Sequence, residues 1–445
     1  MVNSNPESPR KAPEFKGVLK PAAYPCDRHF QAFGPGRIFM LATLRSGDWL
    51  TGERLGTYPR MLLGVIVIAT LVWIGLSDGL IDPNGKPLGT DFSNVYAAGE
   101  LTLKGEPEAA YDPARQHAAE REVFGGRAVP FYGWHYPPLF LFAAAALALL
   151  PYGWALFAWM ALTLPLYVAV MRAIVPRRET LIIALAFPAV FVNLGHGQNG
   201  FLTAALLGGA LLLLDRRPIL AGILIGLLAY KPQFGILIPL VLAASGRWQV
   251  FIAAAVTVVA ASAATFAAFG IESWIAFGES TGFTRQVVLE AGGTGWQKIQ
   301  SIFSAARMWG AGVETAYAAQ FVMGALIAAS LVWLWRSVAA FPLKAAALAT
   351  GSLLATPYVL DYDMVALAVS IAFLAAHGLR QGFRDYEISM LAAAWVVPLI
   401  ARSIAGAIYL PLGFAIMTAL YVVIMRRAVS DIAASAPRST HLAEA

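Results

Sequence analysis

The sequence predicts an all-α integral membrane protein whose helices form one polytopic bundle. Of its 445 residues, 58% are hydrophobic and only 13% are charged, whereas a soluble domain carries about 25% charged residues. Apolar runs long enough to cross a hydrocarbon core recur from residue 60 to residue 425. Because a helix satisfies its own backbone groups in lipid, we expect about 10–12 transmembrane helices and a long first outer loop with short interfacial helices.

The first 58 residues are rich in Pro, Gly and basic side chains. We expect residues 1–58 to be a cytoplasmic, largely disordered tail, with a short interfacial helix around Ile38 to Leu44 and with Met40 as an alternative start. No cleavable signal peptide is recognised, so the first span, from about Arg60 to Leu80, would serve as the insertion signal.

Residues 81–135 form a polar segment with eight acidic and five basic side chains. Its negative balance beside a basic tail predicts an outer location. We expect one helix after Asp91 and another after Asp112 and Pro113, since Asp suits a helix cap and Pro suits the first helical position.

The remaining apolar segments continue the membrane domain, expected over residues 59–428, before a cytoplasmic tail at 429–445. The segments are expected at about 137–151, 153–174, 180–195, 199–214, 219–245, 248–269, 315–335, 343–359, 362–377, 387–402 and 406–425. A consistent topology requires residues 137–174 to make one net crossing and residues 219–245 to turn back near Lys231 and Pro232. Broken or re-entrant helices at both places would meet this requirement.

The net charge of +6 is explained by basic residues in the loops between membrane spans, and it does not predict nucleic-acid binding. Basic pairs such as Arg177 and Arg178 stand between the apolar spans, where cytoplasmic loops keep positive charge. With these pairs inside, the loops around residues 195–200, 271–314 and 356–363 are outside. Cys26 is the only cysteine, so no intramolecular disulfide is expected.

Asp91 is the candidate catalytic residue because it puts a carboxylate at the membrane surface, immediately before a helix. The alternative is that Asp91 caps that helix, a role that Asp often takes. The choice between these two interpretations depends on the polar residues that surround Asp91.

Several other polar residues stand where lipid-facing chains rarely keep them. Lys231 interrupts an apolar run and is either a snorkelling lysine or a cation for a lipid phosphate. His135 either donates to phosphate or simply lies at the interface. His196, Gln198 and Asn199 form a Gly-rich polar turn that suits a polar substrate or an ordinary tight turn. Asp361 and Asp363 flank a helix start, where capping is the default role for one of them.

In order along the chain, the motifs are Asp91, Tyr136-Pro137-Pro138-Leu139, Gly197-Gln198-Asn199-Gly200, Ala221-Gly222, Lys231-Pro232-Gln233 and Thr356-Pro357-Tyr358 with Asp361-Tyr362-Asp363. Together they resemble glycosyltransferase family 87, which has the GT-C membrane fold and includes polyprenyl-phosphate-mannose-dependent α-mannosyltransferases. The resemblance covers residues 60–425.

The resemblance implies transfer of a hexose from a polyprenyl-phosphate donor to a lipid or glycan acceptor on the outer face of the cell membrane, with inversion and with Asp91 as the general base. Lys231, His135 and Tyr136 would bind the donor phosphate or lipid. The sugar or acceptor would contact His196, Gln198, Asn199, Tyr358, Asp361 and Asp363. Neither a metal nor a cofactor is expected.

The chain departs from the mannosyltransferases at one place. Those members carry His after the later aspartate, where this chain has Tyr362 and Asp363. No histidine role transfers to this position, and the identity of the sugar stays open.

Two other function classes compete with the transferase. A transporter or flippase would show two similar halves with interrupted spans at matching places, and only the run near Lys231 is strongly interrupted. A structural or assembly protein would tolerate replacement of Asp91, Lys231 and Asp361.

Overall fold

The computed structural model describes residues 35–435, and this part of the chain is helical with three isolated β-bridges and no strand. Along the chain the helices begin with α1 Pro35–Ser46, α2 Gly52–Gly75, α3 Phe92–Leu103, α4 Pro113–Val123, α5 Leu141–Ala148 and α6 Tyr152–Ile174. They continue with α7 Glu179–Leu185, α8 Pro188–His196, α9 Gly200–Leu213, α10 Pro218–Leu227, α11 Pro232–Gly235, α12 Leu237–Ala244 and α13 Trp248–Phe269. The last are α14 Glu272–Phe283, α15 Ile302–Met308, α16 Val313–Arg336, α17 Phe341–Leu354, α18 Leu367–Gln381, α19 Glu387–Ile408 and α20 Leu412–Ser435.

Short 3₁₀ and π-helical elements lie between these helices. The 3₁₀ turns are Pro107–Tyr111, Pro138–Phe140, Leu228–Tyr230, Trp296–Lys298 and Asp361–Ala366, and Thr284–Glu290 forms a π-helix.

Seven helices in the described part are long and apolar enough to cross a membrane. They are Gly52–Gly75, Tyr152–Ile174, Trp248–Phe269, Val313–Arg336, Asp361–Gln381, Glu387–Ile408 and Leu412–Ser435. The α7–α8 pair, bent by 47°, is an eighth candidate if it counts as one span. Five further apolar helices have only 10–17 residues. The protein is therefore an all-α polytopic membrane protein, as the composition predicts.

Both places where the sequence requires an irregular crossing are irregular in the structure. Between residues 137 and 174 only α6 has the length of a span, since the apolar helix Pro138–Ala148 is too short. Near Lys231 the chain leaves helical geometry, with φ −128° and ψ 72°, before Pro232 starts α11. Proline suits this first helical position because its missing N–H would have no partner there.

Residues 35–58 are mostly helical, whereas the sequence predicts that they belong to a largely disordered tail. Helix α1 covers and extends the interfacial helix expected around Ile38 to Leu44, and α2 begins at Gly52, where Thr51 accepts a hydrogen bond from the Arg54 N–H. Residues 1–34 of the expected tail and residues 436–445 of the expected C-terminal tail lie outside the described residues. Helix α20 itself continues to Ser435.

Small residues allow the helices to pack closely. On α10, a Cβ at Gly222 would lie 2.5 Å from the Cβ of Ala253, and one at Gly226 would lie 2.5 Å from the Cβ of Thr257. Two glycines four residues apart thus bring α10 against α13, as small residues do between membrane helices. Helices α9, α17 and α18 are largely buried at the centre, while α2 and α13 keep most of their surface exposed.

Candidate active site

The segments that the sequence predicts to be outside meet at one end of the bundle. The backbone N–H of Asp91 donates to the carbonyl oxygen of His196 at 3.0 Å, which joins the turn before α3 to the turn between α8 and α9. The ring of His196 lies 5.7 Å from the ring of Tyr362. The N–H of Gln300 donates to the carbonyl oxygen of Val359 at 2.8 Å, so the loop after α14 also joins this end.

Gly197 is required for the contact between the first two turns. It ends α8 in the left-handed conformation, with φ 63°. A Cβ at this position would lie 2.6 Å from the Cβ of Phe92 and 3.3 Å from the Cα of Gly89. A larger residue would therefore separate the turn that carries Asp91 from the turn that carries Gln198.

The side chain of Asp91 does not cap α3, although the residue occupies the N-cap position. Its Oδ2 accepts a hydrogen bond from the Nε2 of Gln198 at 3.0 Å. Its Oδ1 lies 3.5 Å from the hydroxyl of Thr90 and 3.6 Å from the Nδ1 of His196. Asp112, by contrast, caps α4 as predicted and accepts from the N–H groups of Ala114 and Arg115. The capping interpretation of Asp91 is therefore wrong.

Gln198 connects Asp91 to the buried aromatic residue Tyr136 through hydrogen bonds. Its Oε1 accepts from the hydroxyl of Tyr136 at 3.0 Å and from the N–H of Asn199 at 3.1 Å, while its Nε2 donates to Asp91. Because the oxygen is fixed by two donors, the amide can present only its N–H side to the carboxylate. His196 is held in turn by the Thr90 hydroxyl, 2.7 Å from its Nδ1.

The environment of Asp91 keeps its carboxylate ionised. Burial raises the pKa of Asp91, but the charge and hydrogen bond of His196, the hydrogen bond of Gln198 and the charge of Lys298 outweigh burial, so the pKa is lowered. The side chain keeps 17% of its surface exposed. It is therefore an ionised and partly exposed carboxylate, which suits a general base.

Lys231 forms a buried ion pair with Asp363, with 2.6 Å between Nζ and Oδ1. The two side chains are 5% and 1% exposed, and the Nζ lies 5.1 Å from the centre of the Tyr362 ring. The other oxygen of Asp363 accepts from the N–H of Leu360. Lys231 is therefore not a snorkelling lysine, and its charge is neutralised by Asp363 instead of being free for a phosphate. Both carboxylate oxygens of Asp363 also have partners.

Two other cations lie near Asp91. Lys298 is close enough for its charge to act on Asp91 and Asp361, and burial together with the charge of Arg402 lowers its pKa. Arg402, 45% exposed in its side chain, lies 3.5 Å from Asp361 between NH1 and Oδ2. The β-bridge between Ile299 and Leu360 holds Lys298 beside this pair.

His135, Tyr358 and Asn199 complete the group of predicted site residues. The Nδ1 of His135 lies 2.8 Å from the hydroxyl of Thr284, and its ring lies 6.3 Å from the ring of Tyr358. Burial lowers the pKa of His135 to about 4, so its imidazole is neutral at pH 7. Asn199 is buried, and its side-chain amide has no hydrogen-bond partner among the described residues. Among these residues no group of three His, Cys, Asp or Glu side chains is arranged to hold a metal ion.

Sequence reasoning missed three residues of this region. Arg402 is a charge within a predicted apolar span, which is itself a signal of function or pairing. Glu120 shares one helical face with Gln116, Ala119 and Val123, and this spacing indicates that it is buried. Lys298 follows a Gly-rich stretch and has no distinguishing pattern.

The model of glycosyltransferase family 87 matches residues 134–357. No curated protein and no solved structure matches the chain. The matched range includes His135, Gln198 and Lys298 but not Asp91 or Asp361, so the roles of these two carboxylates depend on the geometry around them. Since the match covers half of the 445 residues, this chain belongs to glycosyltransferase family 87.

Proposed function

We propose that this glycosyltransferase moves a hexose from a polyprenyl-phosphate donor to a hydroxyl of a lipid or glycan acceptor, with inversion and at the outer face of the membrane. The observation that carries the proposal is the ionised, accessible carboxylate of Asp91 within the electrostatic reach of Lys298. Transfer from a sugar phosphate needs these two partners, a base for the acceptor hydroxyl and a cation for the departing phosphate.

Asp91 acts as the base through Oδ1. Gln198 holds Oδ2 at 3.0 Å, whereas the neighbours of Oδ1 are 3.5 and 3.6 Å away. An acceptor hydroxyl can therefore donate its hydrogen to Oδ1 without displacing a short hydrogen bond. One carboxylate in this role supports an inverting, single-step transfer.

Lys298 and Arg402 bind the donor phosphate in place of Lys231. Arg402 is half-exposed, and its contact with Asp361 at 3.5 Å is long for a hydrogen bond. A guanidinium and an ammonium beside each other suit a phosphate, which takes both fork-like and point-charge donors. Neutral His135 donates a further N–H to the same group.

The remaining polar groups bind sugar hydroxyls. The amide of Asn199 has an unpartnered donor and an unpartnered acceptor, and Tyr358 lies against His135. His196, Gln198 and Asp361 orient the hydroxyls nearest Asp91. Membership of a transferase family favours this chemistry over a transporter or flippase.

The test is incubation of the purified full-length protein with a panel of polyprenyl-phosphate sugars, with release of the lipid phosphate as the readout. We expect Asp91→Asn to lower kcat by at least about 10²-fold, because the amide cannot accept the proton. The product anomer, read by NMR, would be opposite to that of the donor.

Asp112→Asn is the matched control, since Asn caps a helix as well as Asp does and Asp112 stands in the same outer segment. It should retain full activity. Equal activity of Asp91→Asn and Asp112→Asn would exclude Asp91 as the base, and a retained anomer would exclude inversion.

A further inference from the structure

Glu120 is a buried carboxyl group directly beneath the turn that carries Asp91. It is 0% exposed. Its Oε2 accepts from the backbone N–H of Tyr132 at 3.1 Å, and its Oε1 lies 3.2 Å from the hydroxyl of Ser93. Glu120 thus joins the first turn of α3 to the loop that leads to His135.

The hydrogen-bond geometry favours a protonated Glu120. The Ser93 hydroxyl lies 2.7 Å from the carbonyl oxygen of Thr90, closer than it lies to Glu120. A hydroxyl has one hydrogen. When that hydrogen is donated to the carbonyl, a hydrogen on the Glu120 carboxyl completes the second contact.

The electrostatic surroundings act in the same direction. Burial raises the pKa of Glu120 to about 8, and the negative charge of Asp91 adds to the rise, while the hydrogen bond from the Tyr132 N–H opposes it. The titratable groups that face Glu120 are Asp91 at the start of α3, Tyr132 in the loop and Tyr152 on α6. None of these three is a cation.

We propose that Glu120 is a positioning residue that works only in its protonated form, by holding the Asp91 turn against the loop that carries His135 and Tyr136. The proposal rests on the proposed function, in which Asp91 is the base and the donor is an anion. Ionised Glu120 would lose its hydrogen bond to Ser93 and would put a second negative charge beside Asp91, where an anionic donor must bind.

The experiment compares kcat/KM between pH 6 and pH 10 for the full-length enzyme, Glu120→Gln and Glu120→Ala. We expect the activity of the unmodified enzyme to fall about tenfold per pH unit above pH 8. Glu120→Gln should keep the rate at pH 7 and lose this alkaline fall, because its amide donates to Ser93 and accepts from Tyr132 without ionising. Glu120→Ala should be slow at every pH.

A second readout needs no substrate. A carboxyl whose folded pKa is raised favours the folded state less as pH rises from its ordinary pKa towards the folded value of about 8. The unfolding temperature of the unmodified protein should therefore fall relative to that of Glu120→Gln between pH 5 and pH 8, and the difference should be constant above pH 8.

Loss of activity in Glu120→Gln at pH 7, an alkaline fall that persists in this variant, or parallel unfolding temperatures would each overturn the proposal. If Asp91→Asn remained active while the unfolding temperatures diverged as expected, the proposed function would fail and the protonation of Glu120 would stand.

Discussion

Lys231 and Lys298 differ in whether their charge is neutralised by a close partner. Lys231 is 4% exposed and paired with Asp363, whereas Lys298 is partly exposed and acts on Asp91 and Asp361. Sequence alone favours Lys231, because a lysine in an apolar run is conspicuous. Of these two lysines, Lys298 is the better candidate for a cation that faces a substrate, because its charge is not neutralised by one close partner among the described residues.

We expect substitution of the two lysines to separate stability from catalysis. Lys231→Met leaves the carboxylate of Asp363 buried and unpaired, which should cost about 3–5 kcal/mol of stability. Lys298→Met should leave the unfolding temperature unchanged and lower kcat/KM by about 10²–10³-fold. The measurements are thermal unfolding in detergent and steady-state transfer.

Two controls sharpen this comparison. Combining Lys231→Met with Asp363→Leu should recover stability, since an apolar pair replaces the ionic one, and Lys298→Arg should recover part of the activity. If Lys231→Met were stable and inactive, Lys231 would be the phosphate cation and the assignment of Lys298 would be wrong.

The sequence does not show which charged residues neutralise each other. Residue type and local spacing identify candidates such as Asp91, Gln198 and Asp361, but they do not tell which partner neutralises a charge. Lys231 and Asp363 are 132 residues apart in the chain. Their pairing is decided by tertiary packing. The burial of Glu120, by contrast, can be predicted from the helical spacing of the residues on one face of α4.

At the scale of elements, the site is built from turns rather than from helix faces. Asp91 and His196 stand at the ends of α3 and α8, and the contact between their turns depends on the left-handed backbone of Gly197. The sequence indicates a tight turn there, and it places the helix break near Lys231 correctly. The short distance between the turn that carries Asp91 and the turn that carries Gln198 is set by tertiary packing and cannot be predicted from the sequence.

Replacement of Gly197 should therefore lower activity strongly without a change at any catalytic side chain. In Gly197→Ala the new Cβ would meet Phe92 at 2.6 Å and the residue would be strained at φ 63°, so the two turns should move apart and separate Gln198 from Asp91. We expect kcat/KM to fall by about 10²-fold, as small displacements in active sites do. Steady-state transfer measures it.

Gly195, in the last turn of α8, provides the control. No atom lies within 4 Å of a Cβ built there, so Gly195→Ala should behave as the unmodified enzyme. A Gly197→Ala variant with normal activity would mean that the site tolerates separation of the two turns.

At the scale of the whole molecule, the two ends of the bundle differ in charge pattern. At one end Arg427 binds Glu387 and Asp431, and Arg384 also contacts Asp431. Arg247, close to Asp215, stacks on the Trp335 ring. The candidate site occupies the opposite ends of the same helices. Hydropathy predicts from the sequence that the protein is polytopic, and the basic pairs predict which end of the bundle carries the positive charge. The central packing of short helices such as α9 has no comparable signal in the sequence.

The proposed outer location of the site is testable by labelling. In a Cys26→Ser background, we expect a cysteine at Glu314 to react with a membrane-impermeant maleimide in intact cells, and a cysteine at Arg178 to react only after the membrane is permeabilised. Both positions are exposed, so accessibility depends on the side of the membrane alone. The loop before α16 shares the end of the bundle with Asp91, and the turn before α7 carries a basic pair that cytoplasmic loops retain. If Arg178→Cys were labelled in intact cells and Glu314→Cys only after permeabilisation, the orientation would be the opposite one. The donor would then have to be bound at the inner face.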